Sequence, residues 1–186
     1  MRDRRRRSGG QDVHAVSVGE QDISKRLRPT NCDCQAHVYN LVIDHQPVLL
    51  DLHDTSGVVT YDQLRPMSYL KTDIFVVVYE VVSDEGLNNV VRKWIPKVRH
   101  HCPDAPFILV GNKADLREPE MAIKRDESQL AVVSKQEGEK FAQEVGAVAY
   151  MECSAFKQDG MTEVFEAAVR IVREQPPKTT SKCCVS

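Results

Sequence analysis

Apolar positions along this chain follow two periods. Val38-Tyr39-Asn40-Leu41-Val42-Ile43 and Val48-Leu49-Leu50-Asp51-Leu52 flank the polar break Asp44-His45-Gln46-Pro47, which predicts an antiparallel hairpin. Ile74-Phe75-Val76-Val77-Val78-Tyr79 has no alternation; a continuous β-branched and aromatic run suits a central strand covered on both faces. Pro106–Val110 reads as another buried strand, Val148–Met151 as a shorter one, and Val13–Val18 as a short apolar alternation. Elsewhere the period is helical. Leu87, Val90, Val91, Trp94, Ile95 and Val98 share one face, with Ser83 or Asp84 as cap, and Pro96 weakens the second half of that helix. Ser134-Lys135-Gln136-Glu137 is a capping box ahead of Phe141, Ala142 and Val145. Met161, Val164, Phe165, Ala168, Val169 and Val172 stripe a last helix.

From residue 73 onward the order is strand, helix, strand, helix, strand, helix. That alternation implies right-handed crossovers and a mostly parallel sheet, an α/β fold. Ligands of such sheets bind beyond the carboxyl ends of the strands, so the residues just after each strand carry the chemical interest.

Composition narrows the classes. The 186 residues suit one domain, and Lys+Arg 25 against Asp+Glu 27 gives a net charge of −2. Nucleic-acid binding, which needs a basic excess, is not expected. No run approaches the roughly 18 apolar residues of a membrane span, and the basic N-terminus lacks the apolar stretch of a secretory signal. The six cysteines do not form a disulfide pattern, which points to a reducing, cytoplasmic setting. Cys32-Asp33-Cys34 with His37 lacks a second knuckle and is a weak zinc signal.

Three strand ends stand out: His53-Asp54-Thr55-Ser56-Gly57, Gly111-Asn112-Lys113-Ala114-Asp115 and Glu152-Cys153-Ser154-Ala155. In Asn-Lys-x-Asp, a fixed carboxylate such as Asp115 can accept two parallel hydrogen bonds from a base carrying N–H and NH₂ side by side. Guanine has that edge. Adenine presents an acceptor there, and an unsatisfied charged acceptor costs more than about 1–3 kcal/mol. Asn112 can bond the base or tie neighbouring loops together, and the Lys113 stem can cover the ring.

On these motifs the chain resembles a small GTPase of the Ras superfamily, and specifically of the Rho family, from about Val48 to Arg173. Asp54-Thr55-Ser56-Gly57 matches D-x-x-G. Tyr61–Tyr69 resembles the second switch of Rho proteins, Trp94–Pro103 is also Rho-like, and Glu118–Val133 resembles the extra Rho insert. The resemblance implies a P-loop NTPase-like α/β fold: a mixed six-stranded, mostly parallel sheet with one antiparallel edge hairpin and helices on both faces. It implies GTP or GDP with Mg²⁺ as ligands, effector and regulator proteins of Rho type as partners, and no nucleic acid. Asp54 would hold Mg²⁺ through water, the Gly57 N–H would sense the γ-phosphate, and Asn112, Lys113, Asp115, Ser154 and the Ala155 N–H would form the base site.

The phosphate end departs from that pattern. A P-loop reads G-x-x-x-x-G-K-[ST], and the nearest match is Gly19-Glu20-Gln21-Asp22-Ile23-Ser24-Lys25-Arg26. Gly19 and Lys25 keep the spacing. Ser24 replaces the second glycine, Arg26 the Mg²⁺-binding hydroxyl, and Asp22 adds a negative charge. Only Arg26–Ala36 remains for a first helix and a first switch, where a helix alone takes about 11–12 residues. Pro29-Thr30 resembles the switch dipeptide whose Thr closes over Mg²⁺. Val58 stands where the family has the Gln that orients the attacking water, so hydrolysis is expected to be weak or absent, as in the Rnd-like subgroup. Whether the chain is an enzyme is left open.

These readings divide the chain into a basic tail (1–12), a small-GTPase domain (13–174) and a flexible tail (175–186). Cys183-Cys184-Val185-Ser186 fits C-a-a-X and predicts prenylation of Cys183, hence the cytoplasmic face of a plasma or internal membrane. Three functions are weighed: a Rho-type GTP-binding protein in cytoskeletal or membrane signalling, a pseudoGTPase scaffold that binds no nucleotide, and a shortened product that folds poorly.

Overall fold

The computed structural model describes residues 13–19, 35–55, 57, 59–69, 71–118 and 132–175. The predicted hairpin is strands β2 (Gln35–Ile43) and β3 (Gln46–Thr55), paired antiparallel from Gln35↔Asp54 to Ile43↔Gln46. Its turn is tighter than the four-residue break expected. Asp44 and His45 alone make it, both at positive φ (54° and 61°), the conformation that matches the twist of paired strands.

Strand β1 (Val13–Gly19) follows the apolar alternation, and β4 (Ile74–Glu80), β5 (Phe107–Asn112) and β6 (Ala149–Glu152) follow the continuous runs. They form one six-stranded sheet in the order β2-β3-β1-β4-β5-β6. β4, β5 and β6 are parallel, and the antiparallel hairpin lies at one edge, so the fold is the mixed α/β sheet expected. One strand departs from the expectation. β1 runs antiparallel to both β3 and β4. Alternation sets which faces a strand buries, but it carries no direction.

Helices cover both faces. On one, α4 (Met161–Glu174) lays Val164, Phe165, Ala168 and Val169 against Ile43, Leu50, Leu52, Ile74, Val76, Ile108 and Val110. On the other, Val90, Trp94, Val98 and Ala142 pack against Phe75, Val77, Tyr79, Phe107 and Leu109.

Helix α1 (Asp84–Asn89) starts where Ser83 Oγ accepts the Gly86 N–H at 3.2 Å. The chain then makes one π-helical turn, Val90–Trp94, before α2 (Ile95–His101), with the Ile95 N–H on the Val90 carbonyl. In a regular helix the Pro96 ring would collide with the carbonyl of Arg92. The widened turn relieves that clash, so the second half forms despite the proline. α3 (Lys135–Val145) carries the predicted capping box in full, Ser134 with Glu137. Among the described residues no helix is long and apolar enough to cross a membrane.

Candidate functional site

Parallel pairing aligns Glu80 with Asn112 and Gly111 with Glu152, so the loops after β4, β5 and β6 leave the sheet at one edge. β3 has the same direction as β4, and Val13 lies between Thr55 and Val77. Asp54 therefore reaches this edge too.

The Asn-Lys-x-Asp loop begins with a left-handed residue, Lys113 (φ 63°, ψ 33°), a conformation non-glycine residues adopt only when held. Asn112 holds it: Oδ1 accepts the Lys113 N–H at 2.7 Å and the Ala155 N–H at 3.3 Å. Asn112 thus ties the two loops together, the second of its expected roles. The Ala155 N–H, expected to meet the base, here donates to Asn112. A 3₁₀ turn over Ala114–Arg117 buries Asp115, which is 6% exposed. Ser154 Oγ donates to Asp115 Oδ1 at 2.5 Å and accepts the Lys157 N–H at 3.0 Å. A carboxylate accepts at both oxygens, so this bond fixes the plane of the group without exhausting it. The Lys113 ammonium pairs with Glu80 at 2.5 Å.

A network that the motifs do not reveal braces this arrangement. Arg117 donates to both oxygens of Glu152, at 2.5 and 2.7 Å, and its Nε donates to the Val133 carbonyl at 2.8 Å. Tyr150 OH donates to Glu152 Oε1 at 2.6 Å and meets Tyr79 OH at 2.9 Å. Burial alone would raise the Glu152 pKa, but the Arg117 and Tyr150 hydrogen bonds outweigh it and hold the carboxyl below its usual range. Burial, then the bond to Glu152, pushes the Tyr150 phenol far up, so it stays protonated and serves as a donor. Glu118 and Lys157 close the outside, with both carboxylate oxygens 2.6 Å from Nζ. Burial lifts the Cys153 thiol to about 11, which leaves it unreactive. Arg117 and Glu152 are 35 residues apart, and no local pattern announces such a pair.

The segment expected to resemble a second switch is fastened to the helix beside it. The Gly57 carbonyl accepts from Lys93 Nζ at 3.1 Å. Asp62 meets Arg65 at 2.6 Å, Lys97 at 2.5 Å and Lys93 at 3.4 Å. Arg65 is 1% exposed and lies 4.9 Å from the centroid of the Trp94 ring.

The phosphate candidates fare differently. Gly19 is opposite Leu49, six residues along β3 from Thr55, or about 20 Å at the usual strand rise. It lies at the other edge of the sheet, because β1 runs towards that edge. The expected grouping of Gly19 with Asp54, Gly57, Asn112, Lys113, Asp115, Ser154 and Ala155 is therefore corrected. Ser24, Lys25, Arg26, Thr30, Val58 and Cys183 lie outside the described residues, as do Cys32, Cys34 and most of the segment likened to the Rho insert. Among the described residues no group of three or more His, Cys, Asp or Glu could hold a metal ion. The residues fit a guanine base; Gly19 does not fit a phosphate cradle.

A profile of the Ras family matches residues 17–174. The chain belongs to the Ras family. It is a small GTP-binding protein in the general sense of that family, whose domains bind guanine nucleotide, usually with Mg²⁺, and work with regulator and effector proteins.

Proposed function

We propose that this chain is a Rho-type small GTP-binding protein in cytoskeletal or membrane signalling, held at the cytoplasmic face of a membrane by a lipid on Cys183. The observation that carries guanine binding is the buried Asp115, fixed by Ser154 beside the Asn112 clamp. Tyr61–Tyr69 and Trp94–Pro103 support the Rho assignment by resemblance. By resemblance to D-x-x-G, Asp54 would hold Mg²⁺ through water.

Val58 has no group to orient a water, so hydrolysis is weak or absent in this reading. Titration of fluorescent GDP and ADP into purified protein tests the binding: saturable binding of GDP but not ADP is expected, and its absence ends the proposal. Turnover of bound GTP at the ordinary rate of the family would end the claim of weak hydrolysis. Mass spectrometry of protein from cells tests the anchor; an unmodified Cys183 with Val185-Ser186 retained removes it.

The direction of β1 favours a second reading, a scaffold that keeps the fold and the partner surface and binds no nucleotide. The same titration separates the two.

A further inference from the structure

We infer that Arg117 and Glu152 are a positioning pair for base specificity: they hold the Asp115 carboxylate where it accepts both the N1–H and the 2-amino group of guanine, so that loosening them makes the site tolerant of hypoxanthine. The inference rests on the guanine-binding reading above and names the side chains that give that site its selectivity. Three observations carry it.

The first is placement. Arg117 ends the 3₁₀ turn that begins at Ala114 and carries Asp115. Glu152 ends β6, two residues before Ser154, whose Oγ donates to Asp115 Oδ1. The pair therefore stands directly behind the Asp115–Ser154 bond and joins the same two segments. The other end of the turn is tied by backbone, with the Ala114 N–H on the Cys153 carbonyl at 3.2 Å. Asp115 lies between these two ties, and losing the pair leaves its turn held at one end.

The second is geometry. The two terminal guanidinium nitrogens of Arg117 meet the two carboxylate oxygens of Glu152 at 2.5 and 2.7 Å. Parallel bonds of this kind fix direction as well as distance. Each partner is anchored in turn. Arg117 Nε donates to the Val133 carbonyl at 2.8 Å, and Tyr150 OH donates to Glu152 Oε1 at 2.6 Å while meeting Tyr79 OH at 2.9 Å. The strut thus connects the Asp115 turn to β6, to β4 through Tyr79, and to the approach to α3.

The third is the demand placed on Asp115. A carboxylate that takes two neighbouring N–H donors must lie near the plane of the base, one oxygen for each. Ser154 sets the plane of the carboxylate relative to the loop after β6. The Arg117–Glu152 pair sets where that loop stands relative to the Asp115 turn. A small displacement between them tilts the carboxylate and spoils one of the two bonds before both. A hypoxanthine base keeps N1–H but lacks the 2-amino group, so it makes one bond in either geometry. Guanine alone loses by the displacement.

Competition titration of the full chain with GDP and inosine diphosphate tests this. The wild type should prefer GDP by about tenfold or more, the worth of one hydrogen bond to a charged acceptor. Arg117→Met with Glu152→Gln removes the strut without leaving an unpaired charge, and should bring the two dissociation constants within about threefold of each other. Arg117→Lys keeps the charge without the fork, and its preference should fall between. A purely structural role would weaken both nucleotides by one factor and leave their ratio untouched. A wild-type ratio in the double variant therefore overturns the inference and leaves guanine recognition standing. If the double variant does not melt cooperatively, a wild-type ratio in Arg117→Lys overturns it instead. Equal binding of the two nucleotides by the wild type also overturns it, and failure of the wild type to bind GDP overturns both readings.

Discussion

Lys97 reaches across from α2 to Asp62, Nζ to Oδ2 at 2.5 Å, while Arg65 closes on the other carboxylate oxygen at 2.6 Å. One acid therefore joins the segment after β3 to the helix after β4. Burial opposes its ionisation, but the hydrogen bonds from Lys97 and Arg65 and the charge of Lys93 outweigh it. The pKa falls from 3.8 to about 2. A depressed folded-state pKa means stability that is fully present above 3.8 and lost as pH falls towards about 2. Asp62 is 27% exposed, so after discounting for solvent its share is about 1–2 kcal/mol. Asp62→Asn should lower the urea midpoint at pH 7 and flatten the acid limb between pH 4 and 2. An acid limb as steep as the wild type's would place the titration in other carboxylates.

Arg117 and Glu152 are 22% and 14% exposed. Removing one member of such a pair leaves a poorly solvated charge, whereas replacing both costs less. Arg117→Ala should cost about 2–3 kcal/mol and lift the Glu152 pKa, since the Tyr150 bond and the charge of Lys135 would be left to oppose burial. Arg117→Met with Glu152→Gln should recover part of that loss. Thermal melts of the two singles and the double supply the cycle; additive effects would mean that the pair does not couple.

Gly138 sits in the middle of α3, where alanine is normally better by about 1 kcal/mol. Here a Cβ would run into Oη and Cζ of Tyr150. That ring is bonded to Tyr79 and Glu152 and cannot swing away without breaking the network. Gly138→Ala should therefore destabilise the fold by about 1–3 kcal/mol. A neutral or raised melting temperature would show that the ring moves freely.

Val16 pairs with Leu52 on one side and Ile74 on the other. Proline in a central strand loses a ladder bond and clashes with its neighbours, at a cost of about 3 kcal/mol or more. Val16→Pro should abolish the cooperative melt or lower its midpoint sharply. A melt like that of the wild type would remove β1 from the interior of the sheet.

Features held by local chemistry were readable in the chain. Ser83 and Ser134 cap the helices that follow them, because a hydroxyl before an apolar stripe satisfies free N–H groups whatever the tertiary setting. The runs around Ile74 and Phe107 read as buried strands because no other element hides so many β-branched side chains. That Asn112, Asp115 and Ser154 would meet at one end of the sheet was readable because they follow strands expected to be parallel. What failed was long-range. The direction of β1 depends on pairings with Leu52 and Ile74, which alternation does not encode. Arg65 looks like a surface residue until Asp62 and the Trp94 ring are seen to enclose it. The Arg117–Glu152 pair and the left-handed Lys113 arise only once β5 and β6 lie side by side.

Among the described residues β1 is the seam between the hairpin and the parallel strands, since β3 and β4 do not pair with each other. Val13–Gly19 is the earliest of the described strands in the chain, but its two ladders need Thr55 and Val77 before both can close. During translation β1 can join the hairpin once Thr55 has emerged, while its other edge stays unpaired until β4 has been made as far as Val77. Until then the free edge of β1 is open to capture by a chaperone or by another unpaired strand.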